Sequence, residues 1–174
     1  MSPVGDTSEG GRVLTRSQLA VLAAIQDRLI PREGDLPGAG ESGAARRVDG
    51  YLVGRPEWRP DVLAALQAIE VAAQRLAQER AGHAGQAAGL ANTGFLGLSG
   101  DDRDAVLRVV EATQPRVFER LLRVTYTAYY TDAEVQRARD FAAEPPLPRG
   151  YAMETFDESR LEAVKRRGKL WRDA

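Results

Sequence analysis

The stretch that decides the fold runs from Gln114 to Thr131 and reads QPRVFERLLRVTYTAYYT. Pro115 suits the first turn of a helix, where its missing N–H is no loss. Apolar side chains then recur every three or four residues, the spacing of one helix face. A helix this broadly apolar is expected inside a bundle, with its tyrosine tips where the bundle meets water or a partner. The residues of this face are Val117, Phe118, Leu121, Leu122 and Thr125, extended by Tyr126, Tyr129 and Tyr130.

The composition is that of one folded domain. The chain has 174 residues, of which 43% are hydrophobic and 28% are charged, and its formal net charge is −1. This balance gives no general electrostatic reason to bind nucleic acid or an anionic membrane. The absence of cysteine excludes disulfides, thiol catalysis and cysteine-ligated iron–sulfur clusters.

No segment of the sequence has the pattern of a membrane span or an export signal. No apolar run approaches the roughly 18 residues that cross a bilayer. The first residues, MSPVGDTSEGGRVL, lack a basic n-region, a twin-arginine pair and an apolar core. From the sequence we therefore expect a cytoplasmic protein, unless a partner carries the signal.

Helix start and stop signals divide the remaining chain into short helices. Thr15 and Gln18 have capping-box spacing and open the first helix, which Pro31 ends. The glycines and prolines between Pro31 and Gly43 predict a long loop, and loops of this length tend to be functional. The other expected helices are roughly 44–53, 61–80, Ser99 to Thr113 with Val106, Leu107, Val109 and Val110 inward, Thr131 to Phe141, and 157–170.

These elements predict an all-α fold, an irregular bundle of five to seven helices joined by long Pro/Gly loops. We expect a mobile N-terminal arm at 1–13, a helical body at 14–141, and a partner-wrapping segment at 142–174. Phe95, Leu96 and Leu98 are expected to hold the glycine-rich connection on the core. A capping box of Thr131 and Glu134 is expected to open the helix that follows the central one.

Candidate catalytic residues are few. His83 is the only histidine, and Glu79 lies four residues before it, which could place both on one helix face. A metal site would still need further ligands. Ser99 lies in a Gly-Leu-Ser-Gly sequence, but no strand precedes it, so it is interpreted as a helix cap. Glycines 82, 85 and 89 do not form a dinucleotide-binding fingerprint.

The strongest charge bias lies near the C-terminus. The residues concerned are Lys165, Arg166, Arg167, Lys169 and Arg172. They could bind phosphate or nucleic acid. Asp157, Glu158 and Glu162 precede them in the same predicted helix, and positive charge at a helix end complements the helix dipole. The second interpretation, a solvated helix end, is favoured.

Several segments, taken in order, resemble the gluconate 2-dehydrogenase subunit 3 family. The resemblance covers about residues 14–151. The matching segments are Leu14-Thr15, Gln18-Leu19, Asp27-Arg28-Leu29-Ile30-Pro31, Asp35-Leu36-Pro37-Gly38-Ala39, Gly43-Ala44, Val48-Asp49-Gly50-Tyr51-Leu52, Tyr129-Tyr130-Thr131-Asp132 and Pro146-Leu147-Pro148-Arg149-Gly150-Tyr151.

This resemblance implies a small, cofactor-free accessory subunit. Its partner would be a large FAD-dependent oxidoreductase of the glucose–methanol–choline type, which oxidises a sugar, a sugar acid or an alcohol. The small subunit would support folding, flavin loading or export of the large one. Many members carry a twin-arginine signal and this sequence shows none, which favours an intracellular complex. The family offers no catalytic residues to carry over.

Three hypotheses of function follow. The first is the non-catalytic subunit; the others are a metal-dependent enzyme using Glu79 and His83, and a regulatory or nucleic-acid-binding module using the basic tail. Under the first hypothesis, two regions of the chain and one helix edge are expected to bind the partner. They comprise Leu36 and Pro37 in the loop, Tyr126, Tyr129 and Tyr130 on the central helix, and Pro145, Pro146, Pro148, Tyr151, Phe156, Leu161, Val164 and Trp171 in the tail.

Overall fold

The computed structural model describes residues 11–84, 94–139 and 157–167, and within these ranges every regular element is a helix. The all-α prediction is confirmed. Short 3₁₀ turns at Pro56–Trp58, Phe95–Gly97 and Glu158–Leu161 join or precede α-helices. The α-helices are α1 Arg16–Leu29, α2 Ala44–Gly54, α3 Arg59–Ala84, α4 Gly100–Thr113, α5 Pro115–Tyr130, α6 Ala133–Ala138 and α7 Glu162–Arg167.

The chain divides into two compact units, Met1–Ala143 and Glu144–Ala174. The first unit contains α1 to α6, and the second contains α7. In the second unit Asp157 accepts a hydrogen bond from the backbone N–H of Ser159 at 3.0 Å and starts the 3₁₀ turn that leads into α7. The single helix predicted over 157–170 is therefore a 3₁₀ turn followed by α7, and residues 168–170 lie outside the described range.

The core of the first unit is built on α5, which packs against α2, α3 and α4. Leu121, Val124 and Ala128 are completely buried on its inner face. Each partner helix contributes apolar side chains at helical spacing, for example Val62 and Ile69 of α3. Burial of these side chains is the main stabilising contribution to the bundle.

The opposite face of α5 is exposed, apart from the half-buried Arg120. Successive residues of an α-helix are rotated by about 100°, which places the outward side chains of α5 on one arc of about 120° opposite the buried ones. We refer to these residues as the open face of α5: Arg116, Glu119, Arg120, Arg123, Tyr126, Thr127 and Tyr130.

The starts of α1, α4 and α5 are as predicted. Thr15 accepts a hydrogen bond from the backbone N–H of Gln18, and the Gln18 side chain accepts one from the Thr15 N–H, which completes the capping box. Ser99 caps α4 by accepting from the backbone N–H of Asp102. Pro115 occupies the first turn of α5. These caps satisfy backbone donors that have no partner within the helix.

The predicted capping box of Thr131 and Glu134 is wrong. Asp132 is the N-cap of α6, and its carboxylate accepts from the backbone N–H groups of Glu134 and Val135 at 2.9 and 3.0 Å. The Thr131 hydroxyl instead donates to the carbonyl of Thr127 at 2.6 Å, at the end of α5. Helix α6 ends at Ala138, and residues 140 and 141 of the predicted helix lie outside the described range.

Two apolar residues expected in the core point outwards. Val109 is 53% exposed, although Val106, Leu107 and Val110 of α4 are buried. Leu96 is also exposed beside the buried Phe95. In each case a neighbouring residue occupies the inward position: Val110 beside Val109, and Phe95 beside Leu96.

The start of the described chain is held on the body. Asp49 of α2 is buried, and its carboxylate accepts hydrogen bonds from the backbone N–H groups of Arg12, Val13 and Leu14. These backbone N–H groups replace the water molecules that a carboxylate loses when it is buried. Residues 12 and 13 of the predicted arm thus contact α2, and residues 1–10 lie outside the described range.

Candidate partner-binding surface

The loop between α1 and α2 is held on α1 by the side chain of Asp27. Its carboxylate accepts from the backbone N–H groups of Gly40 and Glu41 at 2.8 and 3.3 Å. A Cβ atom at Gly40 would lie 2.3 Å from the carbonyl oxygen of Ala23, and one at Gly38 would lie 2.5 Å from Asp27 Oδ1. Glycine is therefore required where the loop crosses α1.

The outer part of the loop makes a tight turn. Glu33 and Leu36 exchange backbone hydrogen bonds of 3.1 and 2.9 Å, and Gly34 between them has a left-handed φ of 56°. Arg32 pairs with Glu41 at 2.6 Å on the solvent side of the loop. The turn presents Leu36 at a defined position beside the end of α5.

Tyr129 joins this loop to α5. Its hydroxyl donates to the carbonyl oxygen of Pro37 at 2.8 Å, and the residue is only 2% exposed. Burial raises the pKa of the Tyr129 phenol, and the neighbouring Tyr130 raises this pKa further. The hydroxyl therefore keeps its proton at neutral pH and stays a donor to the loop.

Arg47 holds the other edge of the same region. Its guanidinium donates to the carbonyl of Ala128 at 2.8 Å and to the Ser42 hydroxyl at 3.1 Å, and it pairs with Asp132 at 2.9 Å. One side chain of α2 thereby connects the loop, the end of α5 and the N-cap of α6. Several charge-assisted hydrogen bonds from one partly buried guanidinium give a more rigid arrangement than an exposed ion pair.

Two exposed aromatic rings lie on this rigid base. Tyr126 and Tyr130 are 44% and 43% exposed. The Tyr130 ring contacts that of Tyr129 edge-on, with centroids 5.1 Å apart, and lies 6.2 Å from that of Tyr126. The guanidinium of Arg139 lies 5.5 Å from the Tyr130 centroid, within range of a cation–π interaction.

The rings and the loop border a groove of about 490 Å³. We name its border the loop–tyrosine surface and define it by the exposed Pro31, Tyr126, Tyr130 and Arg139 and the half-buried Leu36. Tyrosine and arginine are the residue types that most often dominate protein interfaces. Because the tyrosine rings are already positioned by the base, a partner that binds them would lose little side-chain entropy.

The structure brings together five of the residues that the sequence proposed as partner-binding. Leu36 and Pro37 lie about ninety positions from the tyrosines in sequence, yet Pro37 is bonded to Tyr129. Of the three tyrosines, Tyr129 is buried, whereas Tyr126 and Tyr130 are exposed, and Tyr129 supports the surface from within.

The proposed partner-binding residues of the tail are mostly outside the described ranges. Leu161 ends the 3₁₀ turn of the second unit and is 38% exposed, and Val164 lies in α7. The remaining residues, Pro145, Pro146, Pro148, Tyr151, Phe156 and Trp171, fall in the parts of the chain that the structure does not describe. Their role stays a prediction.

The geometry does not support the alternative metal site at Glu79 and His83. The Glu79 carboxylate binds Arg75 on the same helix at 3.0 Å, and the side chain of His83 lies outside the described set. Among the described residues, no three histidine, aspartate or glutamate side chains are arranged to hold a metal ion.

The basic tail is described only in part. Lys165 lies 3.5 Å from the Glu162 carboxylate, and Arg166 donates to the Glu162 carbonyl at 3.2 Å. These short-range contacts fit the interpretation of a solvated helix end, while Lys169 and Arg172 are outside the described range.

The residues that sequence reasoning missed are Asp27, Arg47, Asp49 and Arg139. The first three are charged residues on helices that bury mostly apolar side chains, and each binds backbone atoms of another segment. The sequence did contain a signal, namely a charged residue beside the inward positions of a helix. Burying such a residue costs free energy unless it is paired. Their partners could not be read from local spacing.

The described residues thus form a helical domain with one candidate partner-binding surface. The family model for gluconate 2-dehydrogenase subunit 3 matches residues 16–142, and the chain belongs to that family. Comparison with curated proteins and with solved structures gives no match. Helices long and apolar enough to cross a membrane do not occur in the described part of the chain.

Proposed function

We propose that this chain is the non-catalytic small subunit of an FAD-dependent oxidoreductase of the glucose–methanol–choline type. In this proposal it binds the large subunit and stabilises or matures it, and the large subunit oxidises a sugar, a sugar acid or an alcohol. The observation that carries the proposal is the family match over residues 16–142, which spans all six helices of the first unit.

The loop–tyrosine surface supports a binding role. Its exposed rings are held by the Tyr129–Pro37 bond and by the three contacts of Arg47. Tyrosine rings are among the side chains that most often anchor protein interfaces. We therefore assign the contact with the large subunit to this surface, together with the predicted tail contact at residues 145–171.

In this proposal the flavin belongs to the large subunit, and this chain holds no cofactor of its own. A dinucleotide is normally bound by a glycine-rich turn between a strand and a helix. The sequence lacks that glycine fingerprint, and the described residues contain no strand from which such a turn could begin. The chain is therefore expected to act on the flavoprotein rather than on its substrate.

Co-expression with the candidate large subunit, a flavoprotein of the glucose–methanol–choline type, tests the proposal. We expect the two proteins to co-purify stoichiometrically, and the yield of flavin-loaded oxidoreductase to fall when this chain is omitted. The chain purified alone is expected to show neither flavin absorbance nor dehydrogenase activity. A flavoprotein that is fully loaded and active without this chain, or a 450 nm band that stays with the chain alone, would contradict the proposal.

A truncation that ends at Ala143 tests the predicted tail contact separately. We expect it to remain helical, because α1 to α6 lie within the first unit, and to lose most of its co-purification. If the truncated chain still co-purifies stoichiometrically through high salt and gel filtration, the tail is not the anchor. The loop–tyrosine surface would then carry the contact by itself.

A further inference from the structure

The open face of α5 is longer than the loop–tyrosine surface and has a different chemistry at each end. From Arg116 to Tyr130 it spans about 21 Å, at about 1.5 Å per residue. Tyr126 and Tyr130 lie at its C-terminal end, beside the loop, and arginines lie at its N-terminal end. Within the described part of the first unit, α2, α3 and α4 pack on the other side of α5, and the side chains of the open face other than Arg120 are exposed.

The arginine end carries an excess of positive charge. Arg123 pairs with Glu119 at 3.0 Å, and Arg120 pairs with Asp61 of α3 at 3.3 Å. Arg116 has no ion-pair partner among the described residues, and all five side chains border one depression of about 470 Å³. The N-terminus of α5, at the same end, adds its partial positive charge.

The charge at this end is available to a ligand because it is not buried. Arg116 and Arg123 are exposed, whereas Arg120 is held over the Trp58 ring at 5.3 Å from its centroid. Exposed arginines without strong internal partners lose little when they bind an external carboxylate. The depression is thus suited to acidic side chains of another protein.

We propose that the open face of α5 docks one segment of the large flavoprotein subunit, with acidic residues over Arg116 and Arg123 and apolar or aromatic residues over Tyr126 and Tyr130. This inference rests on the proposed function and adds the chemistry and direction of the partner segment. Charge complementarity at one end and aromatic contact at the other fix a single orientation of that segment.

The test is charge reversal at the arginine end. We expect Arg116→Glu/Arg123→Glu to weaken the affinity for the co-expressed flavoprotein by at least about tenfold at low salt, because like charges then face each other. The difference from the wild type is expected to shrink at about 0.5 M salt, where charges are screened within a few ångströms. Arg116→Lys/Arg123→Lys keeps the charge and is expected to retain most of the affinity.

Arg46→Glu/Arg108→Glu is the matched control, because it makes the same charge change at exposed arginines of α2 and α4. It is expected to bind nearly as the wild type does. Circular dichroism and thermal unfolding of each variant show whether the bundle remains folded. Equal weakening by the control and by Arg116→Glu/Arg123→Glu would overturn the inference, since a general charge effect would then explain the loss.

The remaining outcomes separate this inference from the proposed function. A wild-type chain that forms no complex with the flavoprotein overturns both. A complex that Arg116→Glu/Arg123→Glu forms with unchanged affinity overturns the docking inference alone. Sedimentation of the wild-type chain as a dimer, with the charge-reversed variant a monomer, would show that a second copy occupies the face, and would also overturn it.

Discussion

The two faces of α5 differ in what they do for the molecule. The inner face buries Leu121, Val124 and Ala128 completely, and its loss would remove the centre of the core. The outer face carries arginines and two exposed tyrosines, which contribute little buried apolar surface to the core. Tyr129 and Tyr130 are neighbours in sequence yet belong to different faces. The comparison shows that residue type alone does not tell whether a tyrosine is buried or exposed. Its position around the helix decides this.

The largest expected effect is on the inner face. Leu121→Ala should lower the free energy of unfolding by about 2–5 kcal/mol, because it removes a fully buried aliphatic side chain and leaves a cavity. Urea denaturation measures this loss. A change below about 0.5 kcal/mol, the range of ordinary surface substitutions, would show that Leu121 is not in the core.

The second-largest expected loss of stability comes from the loop between α1 and α2, which lies beside the open face. Gly40→Ala should destabilise the chain by about 1–3 kcal/mol, since the new Cβ has no room against Ala23 and Asp27. Gly50→Ala is the control: a Cβ at this helical position meets nothing within 4 Å, and the change should stabilise the chain by about 0.4–1 kcal/mol. If both substitutions shift the thermal midpoint in the same direction, the account of the loop is wrong.

Tyr129→Phe should cost about 0.5–1.5 kcal/mol, because it removes the hydroxyl that binds the Pro37 carbonyl and leaves the ring in place. The loop should also become more sensitive to limited proteolysis. Tyr130→Phe is the matched control on the other face and should leave stability within about 0.5 kcal/mol. Equal proteolysis of the two variants would mean that the Tyr129 hydroxyl does not hold the loop.

Much of the fold could be predicted from the sequence, because its signals are local. The capping residues Thr15 and Ser99 and the proline at position 115 act within one helical turn, and their positions alone indicate where helices start. The error at Thr131 has a local cause as well. Threonine and aspartate both cap helices, and the choice of Asp132 depends on Thr131 binding the preceding turn.

The loop–tyrosine surface could be predicted only in part, because it depends on hydrogen bonds between residues that are far apart in sequence. The loop and the tyrosines were proposed as separate regions, and their association depends on the Tyr129–Pro37 bond across 92 positions. Arg47 reaches Ala128 across 81 positions. Side-chain bonds to backbone carbonyls leave no periodic pattern in a sequence, so neither contact could be inferred from spacing.

The position of two tyrosines on the open face was missed for a different reason. The apolar face of the stretch at 114–131 was taken to include Tyr126 and Tyr130. In the structure Tyr126 and Tyr130 share their side with Arg116 and Arg123. Their aromatic rings are therefore evidence for recognition rather than for burial.

The most direct test of the account is the affinity of the variant Tyr126→Ala/Tyr130→Ala for the candidate large flavoprotein subunit. The control is Val71→Ala/Val109→Ala, which removes two apolar side chains that are 58% and 53% exposed on α3 and α4. The account predicts that the tyrosine variant keeps its stability but loses at least about tenfold in affinity, since truncated interface anchors cost more than about 1 kcal/mol each. It predicts no loss for the control. Wild-type affinity in the tyrosine variant would contradict the claim that the open face of α5 binds the large subunit.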